Sequence, residues 1–598
     1  MGKSRLFQLI FLAGLILFSI ALWLAGLTIG DGHYEPDLYA AYSPAFWISL
    51  AAVLVCGFGI LFGEVMTKEP HYGWVRGALL IALTNLLIIL IPFLRDYAAT
   101  TQWDSIMHTS RVDAILTHNH IDAANFYPVA HLLAAAFSFF TGLRVNATVV
   151  LFPAIFYVYY LANLILMAWT LDDRPHVRGL IVGLGLPLVF GTWSTIFRPM
   201  QLAFYSLPLF IAWLVLSRFQ KKSTAYTIPL LLILIALPFV HPWAVVSMTA
   251  ILVILGIIAW ITRSPDAKIR PRGIAHLIIL MDVPWLAWFG RFGVFNWVIQ
   301  LLFQSILLIP EISLARFFSN SVQRANISLA KVLSLIFSTY GQILLYMIPV
   351  GLALLWMIYC LLRRNRSIPL HIWVIATFVM LFGLVSVLSL FTNMASYSPL
   401  RILSIAIVIM PALIATWFLS LQESKGWIRW LSQGVLYITI TGAAVLGMLN
   451  SYDSPRTGYS NLQFSYAQQA GVVFTVNYKA DDFRRVYLIW RTFQLESALN
   501  YTDYMKFLRN YPNFYQAMVP AHFGHGEDYM RQVFSNAGYM WISAYERAVY
   551  NQVWQQGGRF TPDDFIALEN DIAWHKIYTS GDMTVWRRFQ KMSFSLGK

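Results

Sequence analysis

GALLIALTNLLIILIPFLRDYAATTQWDSIMHTSRVDAILTHNHID, Gly77 to Asp122, is the stretch whose reading decides the fold. Its first part, Gly77 to Leu94, is an uncharged apolar run of about the length a helix needs to cross a bilayer, roughly 20 residues. Its second part gathers Asp, His and Arg directly beside that run. In a chain that is 58% hydrophobic and only 12% charged, such a polar island is where chemistry is expected. A mean hydropathy of +0.61 rules out an ordinary water-exposed surface for the chain as a whole.

Similar runs lie on both sides: 6–30, 45–63, 149–170, 179–197, 200–216, 226–240, 243–261, 274–297, 340–362, 372–391, 402–421 and 431–449. Together they predict an α-helical polytopic membrane protein with about 13 transmembrane helices. Lys and Arg resist translocation, so their placement sets the orientation. With a cytoplasmic N-terminus, the inner turns hold clusters such as Lys3 and Arg5, Arg218, Lys221 and Lys222, Arg263 to Arg272, and Arg363, Arg364 and Arg366. The outer connections hold fewer, among them Arg95, Arg111, Arg144, Arg198 and Arg401. The expected localisation is therefore an integral, multi-pass cell membrane protein with everything after residue 450 outside.

The formal net charge of +14 sits mainly in those short turns and not on one folded face, which argues against nucleic acid as a partner. Membrane lipids are the expected surroundings. Cys56 and Cys360 both fall in apolar runs, so there is no disulfide framework.

Three outer stretches are too long to be turns: about 95–144, about 298–338, and the tail. Residues 1–450 are expected to form the transmembrane domain and 451–598 an extracytoplasmic α+β domain. In the tail GVVFTVNY and RRVYLIW read as strands, DDFIALENDIAW as a helix capped by Thr561 and Asp563, and HKIYTSGDMTVWRRF as a hairpin.

Wound as a helix, WDSIMHTSRVDAILTH puts Asp104, His108 and Arg111 on one face at i, i+4 and i+7. The remainder is mostly apolar, which predicts a helix lying along the membrane surface. A second polar group follows at His118, His120 and Asp122. FYPVAHLLAAAFSFFTGL then reads as a surface or partly inserted helix, because a full span there would invert every later loop. Asp282, in LIILMDVPW, falls inside a predicted span, where a carboxylate needs a partner.

D-S-x-x-H at Asp104 to His108, N-x-Y-P-x-x-H-L-L at Asn125 to Leu133 and T-G-L at Thr141 to Leu143 follow a first group of helices. In that order they resemble the GT-C superfamily of membrane glycosyltransferases, notably prokaryotic relatives of protein mannosyltransferases and oligosaccharyltransferases. IYTSGDMTVWRRF is similar to a closing hairpin in several members' outer domains. The resemblance implies a GT-C-like fold and transfer of a sugar, with inversion, from a polyprenyl-phosphate or polyprenyl-diphosphate donor. The acceptor, a glycan, lipid or protein, would be met on the outer face.

Such a reaction needs a base for the acceptor proton and a cation for the leaving phosphate. The resemblance points to Asp104 as base, with Asp96 as the alternative; no acidic pair stands side by side at the helix end, as it does in protein mannosyltransferases. Arg401, in SYSPLRIL, is the first candidate for the donor phosphate and Arg198, in TIFRPMQ, the second, since a guanidinium fork grips phosphate oxygens in two places. His108 is a further phosphate contact or, with Asp104, part of a site for a divalent metal such as Mg or Mn. Asp122, His241 and Glu311 complete the candidates, Glu311 within a stretch that reads either as a lid or as a static surface helix. A transporter or flippase of lipid-linked glycans, a polymerase or ligase, and a non-catalytic subunit are the competing functions. The absence of internal repeats and the large outer tail weigh against transport.

Overall fold

The computed structural model describes residues 3–67, 72–102, 104–220, 224–262, 271–307, 328–363, 368–389, 399–422, 426–478, 486–488, 494–511, 538–554 and 560–588. Among these, ten helices are long and apolar enough to cross a membrane, or eleven if Leu400–Ile407 and Met410–Gln422, which meet at 57°, form one bent span. This is fewer than the thirteen read from the sequence, and prolines and glycines account for the difference. The run at 179–197 folds as Pro175–Gly185, stops ahead of Pro187, and continues as a 3-10 turn over Gly191–Ser194. The run at 226–240 gives Thr224–Ala236 with Pro229 inside it, then a 3-10 turn over Leu237–Phe239. Proline removes a backbone donor and crowds the preceding turn, so an apolar run need not make one long helix. Glu311 and the rest of 308–327, the middle of the 298–338 stretch with its lid reading, lie outside the described residues.

Helices Pro44–Thr67 and Trp74–Leu94 pack closely at Gly57 and Gly77. A Cβ on Gly77 would run into the Gly57 carbonyl oxygen and come within 2.8 Å of Leu61 N, both backbone atoms that cannot step aside. Gly77→Ala should therefore destabilise by about 1–3 kcal/mol through forced separation of the two helices. Thermal unfolding of the purified protein reads this, with Gly26→Ala, where a Cβ meets nothing within 4 Å, as the control. Equal melting temperatures for the two variants would contradict the close crossing. Asp282 finds its partner on a neighbouring helix, accepting from Thr249 Oγ1 at 2.9 Å.

The C-terminal region carries a four-stranded sheet. The strands are β1 (Val486–Leu488), β2 (Gly538–Ser543), β3 (Trp574–Thr579) and β4 (Met583–Arg588), in the order β1-β2-β4-β3. β1 and β2 are parallel, while β4 pairs antiparallel with both β2 and β3. The β3–β4 turn is the SG-Asp582 hairpin, with Gly581 at φ +86°. Alternation along β2 sends Tyr539 and Trp541 to one face with Val472, Val585 and Tyr504, and Met540 and Ile542 to the other with Phe565 and Leu568. GVVFTVNY is not a strand. It belongs to helix Tyr466–Asn477, whose capping box at Ser465 and Gln468 starts a helix upstream of the β-branched residues. Helix Pro562–Asn570 is capped by Thr561, with Asp564 rather than Asp563 closing the box.

The tail is woven into the connections at one end of the helical bundle. Phe464 N donates to Ala99 O at 2.9 Å, and Ala99 N to Phe464 O at 3.2 Å. Asp582 accepts from Tyr34 N at 2.7 Å and from Ser465 Oγ at 2.5 Å. Thr195 Oγ1 donates to Ser451 O at 3.0 Å. The loops at 28–43, 97–102 and 191–198 thus meet the tail on the same side.

Candidate active site

The polar helix forms as its spacing predicts, over Asp104–His118. Thr101 Oγ1 accepts from Ser105 N at 3.0 Å, which serves an otherwise open N–H of the first turn and leaves the Asp104 carboxylate for other work. The polar face does not lie on a membrane surface. It turns inward, with His108 and Arg111 buried: Tyr127, His131 and Phe197 surround His108, and the tail meets Arg111 through Tyr501 and the flank of the helix at Ser110 and Ala114. Ala114 sits in the same apolar cluster as Val472 and Tyr504, and Ser110 Oγ donates to Glu496 at 3.1 Å.

Inside this cover, Asp104 meets Arg198. Arg198 Nη2 stands 3.1 Å from Asp104 Oδ2, the two side chains being 11% and 27% exposed. Arg198 is extended (φ −142°, ψ 126°) just ahead of helix Pro199–Tyr205, whose start Pro199 fixes. Its guanidinium lies 5.0 Å from the centre of the Trp193 ring, and that of Arg401 lies 5.8 Å from the same ring. Arg401 enters on helix Pro399–Ile407, the first half of the bent pair. Arg198 Nε and Nη1 are buried and have no hydrogen-bond partner among the described residues. Two guanidiniums on one indole, one with open donors, make a place for an anion.

Behind Asp104 stands an aromatic and imidazole group. Tyr127 lies 5.3 Å from His241 and 5.8 Å from His131, centre to centre. Arg111 lies over Tyr127 and Tyr501, at 5.3 and 4.8 Å. Desolvation pushes the His241 imidazole down to about 3, with Arg401 adding to it. Burial, and then Arg111, Arg198 and His241, hold His108 well below the usual histidine range.

The other candidates lie apart from this group. Asp96, with φ +51°, pairs with Arg144 at 3.1 Å in a largely exposed bridge, the side chains being 60% and 66% exposed. Asp122 caps a turn, accepting from Ala124 N at 2.8 Å, and takes Thr502 Oγ1 at 3.3 Å on the tail side. His118 and His120 serve loop geometry, the former 3.3 Å from Asn500 and the latter bonded to the His118 carbonyl. For a metal at Asp104 and His108 the donor set falls short. His108 Nδ1 is engaged by His131, and no three of His, Cys, Asp and Glu converge among the described residues. No step below is routed through a metal.

The sequence did not single out Asp453 or Glu496. Burial pushes the Glu496 carboxyl up to about 7. Desolvation also lifts Asp453 to about 7, with Arg198 pulling it down. An isolated acid in a polar tail carries no signal of this kind. A folded Asp453 that keeps its proton to about pH 7 binds more protons than the unfolded chain from about pH 4 upward, so its contribution to stability falls across that window. Asp453→Asn is therefore expected to unfold a few degrees above wild type at pH 8, with the gap closing towards pH 4. A pH-independent difference would contradict this.

No protein-family model and no curated protein matches the chain. Among solved structures it is similar to ArnT from Cupriavidus metallidurans bound to undecaprenyl phosphate, with TM-score 0.44, 11% identity, and 87% of this chain and 98% of that one covered. It is also similar to the Archaeoglobus fulgidus oligosaccharyltransferase in its apo form, with TM-score 0.44, 10% identity, and coverage of 86% and 75%. The same enzyme tethered to an acceptor peptide aligns with TM-score 0.45 at 10% identity, covering 80% of this chain and 71% of that one.

Proposed function

We propose that the chain is a GT-C-type membrane glycosyltransferase that moves a sugar from a polyprenyl-phosphate or polyprenyl-diphosphate donor to an acceptor on the outer face, with inversion. The observation that carries this is the Asp104–Arg198 ion pair beside Arg401 on a shared Trp193 ring, at the bundle end where the tail closes over the loops. The donor's isoprenoid tail stays among the helices and its phosphate reaches the two guanidiniums at the headgroup level. Before the donor arrives, Arg198 pairs with Asp104. A phosphate that takes over Arg198 frees the carboxylate to accept the acceptor's proton while the sugar's anomeric bond breaks towards the phosphate. The N-terminus and short basic turns lie in the cytoplasm in this reading.

A flippase shares one feature, the bent span that carries Arg401. Purified protein incubated with polyprenyl-phosphate sugars and glycan, lipid and protein acceptors distinguishes the two. Covalent product from wild type, lost in Asp104→Asn, supports transfer. Movement of the lipid-linked sugar between leaflets without product supports transport and overturns the proposal.

A further inference from the structure

We propose that a cavity behind helix Asp104–His118 is a glycan subsite, which holds a neutral sugar unit of the acceptor one helix thickness away from the reacting bond. Its assignment to an acceptor rests on the sugar-transfer reading above. The cavity measures about 160 Å³ and is walled by the helix, by the connections at 98–99 and 145–146, and by tail residues between 464 and 500. This is smaller than the roughly 300–1,000 Å³ of a pocket for a drug-sized ligand and suits a single ring. Its place follows from helical periodicity. At about 100° per residue, Thr109 and Asp113 fall about 140° and 180° from Asp104, whereas His108 and Arg111 share the Asp104 face. The helix's own width, roughly 10 Å, separates the two faces.

The lining is rich in acceptors and includes no Lys, Arg or His among the described residues. Glu496 is only 4% exposed. Its Oε2 accepts from Ser110 Oγ at 3.1 Å, and its Oε1 has no hydrogen-bond partner among the described residues. The half-buried Asp113 has none for either oxygen. Burial raises both carboxyls, as expected of acceptors short of donors. Sugar hydroxyls supply those donors without bringing charge. Asn146, whose amide makes a long 3.5 Å contact with Gln469, offers a polar group to the ligand whichever way the amide is turned. Ile106, Val145, Phe464 and Leu499 make up an apolar part of the wall, which suits the C–H face of a sugar ring. Two acids and no base are the reverse of the arginine site at Trp193 and turn an anion away. A metal ion fits less well. No three of His, Cys, Asp and Glu converge among the described residues, and the charges felt by Asp113 are His118 and Asp503 while Glu496 feels Arg111.

The test is calorimetric titration of the purified whole chain in detergent with mannotriose, maltotriose and chitotriose, and separately with spermidine and Ca²⁺. Wild type is expected to bind at least one of the three glycans saturably and neither cation. Asp113→Asn, which breaks no hydrogen bond among the described residues, should weaken glycan binding about tenfold, one hydrogen bond's worth. Thr109→Leu fills the cavity with a good helix former and should abolish glycan binding. Both variants should still bind polyprenyl phosphate as wild type does, which reports that they are folded. No glycan binding by wild type, glycan binding unchanged in both variants, or saturation by spermidine or Ca²⁺ in place of a glycan would overturn the subsite. Glycan binding that the variants lower, in a wild type that neither binds polyprenyl phosphate nor transfers sugar, would support the subsite and overturn the proposed function.

Discussion

Asp104→Asn is expected to slow sugar transfer about a thousandfold, within the range a positioned general base contributes, while leaving polyprenyl-phosphate binding intact. The asymmetry follows from the pairing at the site. Asp104 is the carboxylate within ion-pair distance of Arg198, so in the empty protein it competes with phosphate for that guanidinium. Removing its charge removes the base and the competitor together. Affinity for the lipid phosphate should hold or rise as the rate falls, a split that general unfolding would not produce. Asp96→Asn should change the rate little, because its carboxylate is mostly exposed and engaged with Arg144. A wild-type rate in Asp104→Asn with a collapse in Asp96→Asn would reverse the two assignments.

Arg198→Ala is expected to have the second large effect, on both binding and stability. The truncation strips the phosphate site of a guanidinium with two buried nitrogens that have no partner among the described residues and leaves the Asp104 carboxylate without its cation. Breaking one side of a sheltered ion pair costs roughly 2–4 kcal/mol, discounted here for the 27% exposure of Asp104. Donor affinity should fall at least about a hundredfold, since a charge-assisted bidentate contact is among the stronger polar interactions. Arg198→Lys restores charge without the fork and should recover stability more than affinity. Equal affinity in Arg198→Lys and wild type would show that charge alone matters. Unchanged affinity and melting temperature in Arg198→Ala would remove Arg198 from the site.

Much of this arrangement was legible in the sequence where a single physical rule governs it. Apolar length placed the spans at Pro44–Met66, Trp74–Leu94, Val145–Leu171 and Trp427–Leu449, one end of each lying three or four residues beyond the apolar run. Helical periodicity put Asp104, His108 and Arg111 together, and the Ser-Gly-Asp turn marked the β3–β4 hairpin. What was not legible depends on tertiary context. GVVFTVNY has β-branched residues but follows a capping box, and packing against Met583 and Tyr578 made it helical. The pairing of Asp104 with Arg198 spans about ninety positions of chain with no shared motif, so no local rule ranks Arg198 above Arg401. Burial of the polar face depends on residues distant in the chain, Tyr127, His131, Phe197 and Arg198 from the bundle and Tyr501 from the tail, and hydropathy alone reads such a face as solvated. Asp453 and Glu496 likewise take their character from burial.

Titration of polyprenyl phosphate into the purified whole chain tests the central claim most directly. The expected result is saturable binding by wild type, retained or tightened in Asp104→Asn, and lost in both Arg198→Ala and Arg401→Ala. Binding that is absent from wild type, or that survives both arginine substitutions unchanged, would contradict it.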